Sequence, residues 1–479
     1  MGSKNSVAMG SVKPPLPVKE MPEPPVTFRG WLKWVGPALI VSSLSISGYE
    51  AMTAPLLGVR AWHQALWIFM IGCIMAVILA REIARWTIST GEDVFQAFSR
   101  VRPKHFWMII WFLINTLMWM WPPWMLGFAA GFDKLTGGAI GPIWWATIGL
   151  TIVPVLYVFS KYVYRVMEYF FDLVIIITTI ATIICFFALL VQYPAEAFEV
   201  AKGLFSFGVI PAGFGISMIV STIVQPGGGT INLFYSMYLK EKGVGMAKYA
   251  GKVTGLIYAA EEISPVGSTF DTSDSAQINR FKRWLNYATW ENIIVLFILC
   301  IFFVYVYAYA AYTVLRGQAV SGWQIPTLIA ESLGRVIPIF YGFFLFSVAF
   351  ALFDTQFGFF DAIARVAANT FHLELGIRKL SYRGWYFAFI FITWLIGITV
   401  TWTLGPGASP FIMWLMLQVF LAASAAIYIP LIVYVNNKYL AKEIRPHPVM
   451  SAILLIWGIV NLVATIAWIL AYFRIIPGW

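Results

Sequence analysis

Two short stretches hold the residues best placed to do chemistry. One is Ser45–Glu50, SISGYE; the other is Gln225–Asn232, QPGGGTIN, within Ile223–Tyr238. Both lie inside apolar runs long enough to cross a bilayer. Glu50 is a carboxylate at that depth, where burial costs about 3 kcal/mol on insertion scales and an ionisable group is functional by default. It could ligate a cation or carry a proton; the plainer reading is a structural partner for a buried Arg or amide. Gly227, Gly228 and Gly229 follow Pro226, and neither residue type suits a helix interior. In lipid, broken helix survives only where its peptide groups line a protein cavity. Glycine carbonyls offer oxygen to a cation, and the amides opening the next half-helix offer a positive dipole to an anion. Close helix packing is the plainer role for such glycines. Ser47-Gly48 would free carbonyls on the facing side, and Gln225, Thr230 and Asn232 would add amide and hydroxyl groups. No GxxxxGK[ST] occurs, so this is no nucleotide loop.

These donors are carboxylate, amide, hydroxyl and carbonyl oxygen. Such a set suits harder divalent ions, Mg²⁺ or Mn²⁺. Met52 and Met218 are near in sequence, but a Met in an apolar span is ordinarily packing. Farther off, FALFDTQFGFFDAIAR holds Asp354, Gln356 and Asp361. Asp361 and Arg365 have the i,i+4 spacing of an ion pair. Asp354 is deeper and, with Gln356 and Asn115, is a candidate for the pathway. Glu168 and Asp172, near Lys161 and Arg165, read as an ion network at a helix end. Trp119, Trp121, Pro122, Pro123 and Trp124 predict an aromatic, kinked patch. Cys73, Cys185 and Cys300 are isolated, forming neither a disulfide framework nor a CxxC pair, and the four histidines show no HxxxH spacing.

The elements that must position these groups follow from composition. The chain has 479 residues, 60% hydrophobic and only 11% charged, which fits a polytopic membrane protein and excludes a soluble domain. We read eleven spans, roughly 31–58, 64–88, 106–131, 139–159, 168–192, 207–238, 288–314, 337–365, 384–403, 409–436 and 448–473. Spans one and six are long, as two half-helices around a break would be. With a cytoplasmic N-terminus, all but six of the 32 Lys and Arg residues fall on the inside. The six are Arg60, Lys134, Lys202, Arg316, Arg335 and Arg474. The net charge of +10 therefore reports topology and anionic lipid rather than nucleic acid. Residues 1–28, rich in Pro, predict a disordered cytoplasmic tail that lacks a signal-peptide core. Interrupted spans one and six predict two five-helix repeats, 29–205 and 206–440, with a long cytoplasmic loop at 240–284 and an eleventh helix in 441–479.

The segments GPALIVSSLSISGYE, HQALWIFMIGCIMAVILAREIARWTISTGEDV, INLFYSMYLKEKG and LQVFLAASAAIYIPLIVYVNNKYL resemble the Nramp divalent-metal transporter family. The resemblance implies an all-α, LeuT-type fold with broken helices 1 and 6, and transport of divalent metals, usually with protons. The family signature Asp-Pro-Gly-Asn falls on Ser47, Gly48, Tyr49 and Glu50, so the Asp is absent and Glu50 stands in place of the Asn. The Met-Pro-His signature of helix six is replaced by QPGGGTIN. Gln418 of span ten resembles a metal-contacting position. The helix-three carboxylates of the family's proton path are replaced by MWMWPPWMLGF. The chain thus resembles a divergent, Nramp-related branch, with Glu50, Asn232 and Gln418 as metal ligands.

The expected function is a secondary transporter in the cell membrane, with no resident cofactor, whose partners are lipid and a small cation. The alternative is a small organic solute such as an amino acid, its carboxylate at the half-helix ends and its amine at Glu50. An enzyme would need a nucleophile–base pair or a His cluster, and neither is found. A passive channel would lack gradient-coupled uptake. Coupling ion and oligomeric state are not encoded in any motif.

Overall fold

The computed structural model describes residues 6–7, 14–49, 53–318, 324–336, 338–404 and 410–476. Among the described residues nine helices are long and apolar enough to span a bilayer. They are His63–Thr90, Phe106–Leu135, Pro142–Phe159, Val163–Gln192, Ser275–Leu315, Ile339–Glu374, Tyr382–Thr403, Leu417–Tyr439 and Pro448–Tyr472. The remaining two expected spans are interrupted. Span one is Pro37–Gly48 followed by Ala54–Val59, and span six is Ile216–Val224 followed by Ile231–Lys242. The eleven spans read from the sequence are therefore all present.

Span eight is the hub. Of its most apolar window 78% is buried, against 33% for spans four, five and eleven. Those three turn large side chains outward, such as Ile176, Ile180 and Phe187 on span five and Ile456, Ile459 and Val463 on span eleven. Such a continuous apolar exterior is what lipid would cover. Span three is kinked between Trp119 and Pro123, where Pro122 and Pro123 prevent continuous hydrogen bonding.

Three expectations are corrected. Span seven begins at Ser275, earlier than hydropathy suggested, because the Asp274 carboxylate caps it at the Ala276 N–H. Its first turns are polar and carry no spanning signal. Span eight continues past Arg365 to Glu374, because Arg365 is buried against Asp361 and Glu241 rather than lying at a membrane surface. The Pro-rich segment, expected to be disordered, is docked over its described residues 14–27. Leu16 and Met21 are fully buried. Lys19 N–H donates to the Thr269 carbonyl, Thr269 N–H to that of Pro17, and Trp284 Nε1 to that of Pro22. Arg280 pairs with Glu20 and Glu23. Thr269 lies in the long loop, and Arg280 and Trp284 on the first turns of span seven, so the segment is held by both.

Candidate functional site

The break in span six is where the glycines put it. Gly227, Gly228 and Gly229 have φ of +81°, +51° and +57°, three consecutive left-handed residues. Only glycine occupies that region without a Cβ clash. A Cβ on Gly227 would fall 2.3 Å from Asn232 Nδ2, and one on Gly229 would fall 2.8 Å from Leu421 Cα on span ten. A Cβ on Gly228 would lie 3.1 Å from Ser45 Cβ on span one. The first half-helix of span one therefore packs directly on the break of span six.

Span one departs from expectation. Its backbone is helical through Ser47 and Gly48, so the chain does not unwind there. Tyr49 and Thr53 have wider π-type helical geometry, and α-helix resumes at Ala54. A wider turn adds a residue without exposing the whole backbone, and such turns often mark functional sites. Glu50, the main expected charge, lies outside the described residues, as do Ala51 and Met52; so does the side chain of Ser47.

Other elements close on the two interruptions. Tyr49 Oη donates to Thr222 Oγ1 at 3.0 Å, bolting span one to the first half-helix of span six, and its ring stacks on Phe69. Trp119 Nε1 donates to Thr230 Oγ1 at 2.9 Å while its ring stacks on Phe359 at 4.2 Å. Asn115 lies one turn earlier on the same face of span three, with Nδ2 on the Trp111 carbonyl. The Tyr428 hydroxyl of span ten is hydrogen-bonded to the Asn232 side chain. Gln418 lies one turn before Leu421 on the same helix and is buried.

Several oxygens here have no protein partner. Gln225 Oε1, Asn232 Oδ1, Ser221 Oγ, Thr53 Oγ1 and Asn115 Oδ1 are buried without one among the described residues. A buried acceptor left unmatched costs about 1–3 kcal/mol. A cation held by such oxygens would remove that cost. The described residues contain no group of three His, Cys, Asp or Glu able to hold a metal. Binding here would rest on amide and carbonyl oxygen, with Glu50 as the charge the sequence supplies.

The remaining candidates divide between engaged and unpartnered groups. Thr230 is engaged by Trp119. Gln356 is buried with both amide atoms unpartnered among the described residues. Asp354 is fully buried on span eight; Ser43 Oγ donates to its Oδ2 at 2.5 Å. The expected Asp361–Arg365 pair is present at 2.7 Å, with Tyr386 Oη donating to Asp361 Oδ1. Glu168 does join an ion pair, but with Lys242; Lys161 and Arg165 lie over the Tyr162 ring instead. Reading the sequence missed Tyr49, Thr222, Ser43, Tyr428 and Glu291. Glu291 Oε1 accepts the Gly36 and Ala38 N–H groups, capping span one from span seven. The one available signal was Trp119, four residues beyond Asn115 on the same helix face.

Likeness to solved structures is informative about the fold. A mutant of the Eremococcus coleocola manganese transporter superposes with a TM-score of 0.67 at 15% identity, covering 99% of this chain and 92% of that one. Mhp1, a nucleobase-cation-symport-1 family transporter, superposes with a TM-score of 0.55 at 16% identity, covering 93% and 94%. The shared architecture is the LeuT-type inverted repeat, interrupted in its first and sixth spans. The Populus trichocarpa protein Metal transporter Nramp6.1 is 25% identical over 216 residues, 42% of this chain and 37% of the relative. Metal transporter Nramp6.2 of the same organism is 26% identical over 187 residues, 37% of this chain and 32% of the relative. These matches span about a third of the length of the curated relatives. The family model for natural resistance-associated macrophage protein-like proteins matches residues 53–471, most of the sequence, and the chain belongs to that family.

Proposed function

We propose that the protein is a secondary transporter of divalent cations of the Mn²⁺ or Mg²⁺ kind, working by alternating access. The cation would bind between the interruptions of spans one and six, on Gln225, Asn232, Gln418 and Glu50, with carbonyls of Gly227–Gly229. The observation that carries this reading is the pair of buried, unpartnered side-chain oxygens of Gln225 and Asn232 on either side of three left-handed glycines. Family membership supports the same reading, and the relatives' names describe metal or manganese transporters. The absence of a thioether ligand among the described residues of the break favours hard ions over soft ones. The distribution of Lys and Arg supports a cytoplasmic N-terminus in a cell membrane.

Purified protein in proteoliposomes tests this through uptake of ⁵⁴Mn²⁺. Saturable uptake is expected, reduced at least tenfold in Glu50→Gln and in Asn232→Leu. Uptake of a labelled amino acid with no response to Mn²⁺ or Mg²⁺ would overturn the metal reading.

A further inference from the structure

Among the described residues, Asp354 is a buried carboxylate of an unusual kind. Glu82, Glu92, Asp93, Glu168, Glu241, Asp361 and Glu374 are also buried, and each pairs with Arg, Lys or His. Glu291 has no cation but accepts two N–H groups at a helix N-terminus, where the macrodipole favours its charge. Asp354 meets two hydroxyls and the Thr355 backbone N–H, and pairs with no cation among the described residues. Ser43 Oγ donates to Oδ2 at 2.5 Å and Thr355 Oγ1 approaches Oδ1 at 3.3 Å. Thr355 Oγ1 also reaches the Ser43 carbonyl at 3.3 Å. A carboxylate deep in the bundle without a counter-charge is costly when ionised and far cheaper with a proton bound.

We propose that Asp354 is the site where the coupling proton binds, and that it reports its state to span one through Ser43. This rests on the transport reading above. When Asp354 is protonated, its carboxyl O–H donates to Ser43 Oγ. When the proton leaves to water, the Ser43 O–H donates to the carboxylate instead, so the contact survives with its direction reversed. The 2.5 Å separation is that of a short O–H···O⁻ hydrogen bond, a geometry in which the two oxygens share one proton. Ser43 is two residues from Ser45, which abuts Gly228. A change at Asp354 therefore bears on the same half-helix that forms one wall of the cation site.

The way out runs along span eight. Asp361 is seven residues on, on the same face, about 10 Å away along the axis. Arg365 joins Asp361 to Glu241. Glu241 lines a cavity of about 550 Å³ with Trp34, Tyr164, Glu168, Asp172 and Lys242, at the end of the bundle that bears the N-terminal segment. The other charged or titratable groups on elements packed against span eight are Tyr49 on span one, Asp133 and Lys134 on span three, and Glu331 and Arg335 on the helix Gln324–Val336. Spans four, five and nine contribute Tyr157, the Tyr164 to Asp172 group with Cys185, and Tyr382, Arg383 and Tyr386. None of these described groups forms an ion pair with Asp354. The span-three face toward the site is Trp111, Asn115 and Trp119, which carries no acid.

Two readouts on the full chain test the proposal. Infrared difference spectra across a pH titration, taken without metal, should show a carboxylic-acid C=O band that is lost in Asp354→Asn. Ser43→Ala should keep the band and move its midpoint to higher pH, because the ionised form loses a donor. In proteoliposomes with a trapped pH dye, protons moved per Mn²⁺ taken up should fall at least tenfold in Asp354→Asn. A titrating band unchanged in Asp354→Asn, a Ser43→Ala midpoint that stays put, or an unchanged proton-to-Mn²⁺ ratio would overturn it. Absence of Mn²⁺ uptake by the wild type, with the band present, would reject the transport reading and leave the proton site standing.

Discussion

Gly229→Ala tests the packing of the break most sharply. The residue has φ of +57°, and a left-handed conformation costs a non-glycine residue about 1–2 kcal/mol. The added Cβ would fall 2.8 Å from both Leu421 Cα and Cδ2. Leu421 Cα is backbone of span ten and cannot swing aside, so overpacking adds about 1–3 kcal/mol. The sum is about 2–5 kcal/mol. Gly138→Ala is the control: φ is +79° with nothing within 4 Å of the new Cβ, leaving only the backbone cost of about 1–2 kcal/mol. Cys73, Cys185 and Cys300 are all buried, so a thiol-reactive dye reports unfolding directly. Gly229→Ala should melt well below Gly138→Ala, and Leu421→Ala should rescue only part, since it relieves the Cδ2 contact and not the Cα one. Equal melting of the two glycine variants would refute the close approach of the break to span ten.

Trp119→Phe keeps an aromatic ring for Phe359 but removes the donor to Thr230; a loss of about 1 kcal/mol in stability is expected. Its KM for Mn²⁺ uptake should rise, measured by uptake at varied Mn²⁺. Glu291→Leu orphans the Gly36 and Ala38 N–H groups and should destabilise by about 2–5 kcal/mol, whereas Glu291→Gln keeps an acceptor and should cost less, both read by dye melting. Arg365→Met leaves Asp361 and Glu241 buried without a cation, at about 3–5 kcal/mol. Adding Asp361→Asn and Glu241→Gln to Arg365→Met should recover much of that loss in the same melt.

Which features could be read from the chain depends on how local their causes are. Gly227–Gly229 beside Pro226 announce a break because the cost of glycine and proline in a helix is intrinsic to those residues. The spans follow from hydropathy, and Asp361–Arg365 from one helical turn. The first interruption was less legible. Gly48 alone does not unwind a helix, and the irregularity sits at Tyr49 and Thr53, which have no breaking signature. Partners distant in sequence were invisible: Ser43 with Asp354, Tyr49 with Thr222, Glu291 with Gly36. The docked segment 14–27 was misread for the same reason. Its proline content argues for disorder in isolation, and nothing local shows that Leu16 and Met21 find a pocket beyond residue 240.

A cation held by oxygen between the interrupted spans is the central claim. Anomalous diffraction from crystals of the full chain soaked in Mn²⁺ addresses it directly. One peak within coordinating distance of the Asn232 and Gln225 side-chain oxygens is the predicted result, lost in Asn232→Leu. A peak confined to the cavity beside Glu168 and Asp172, or no ordered Mn²⁺ in a protein that transports it, would contradict the claim.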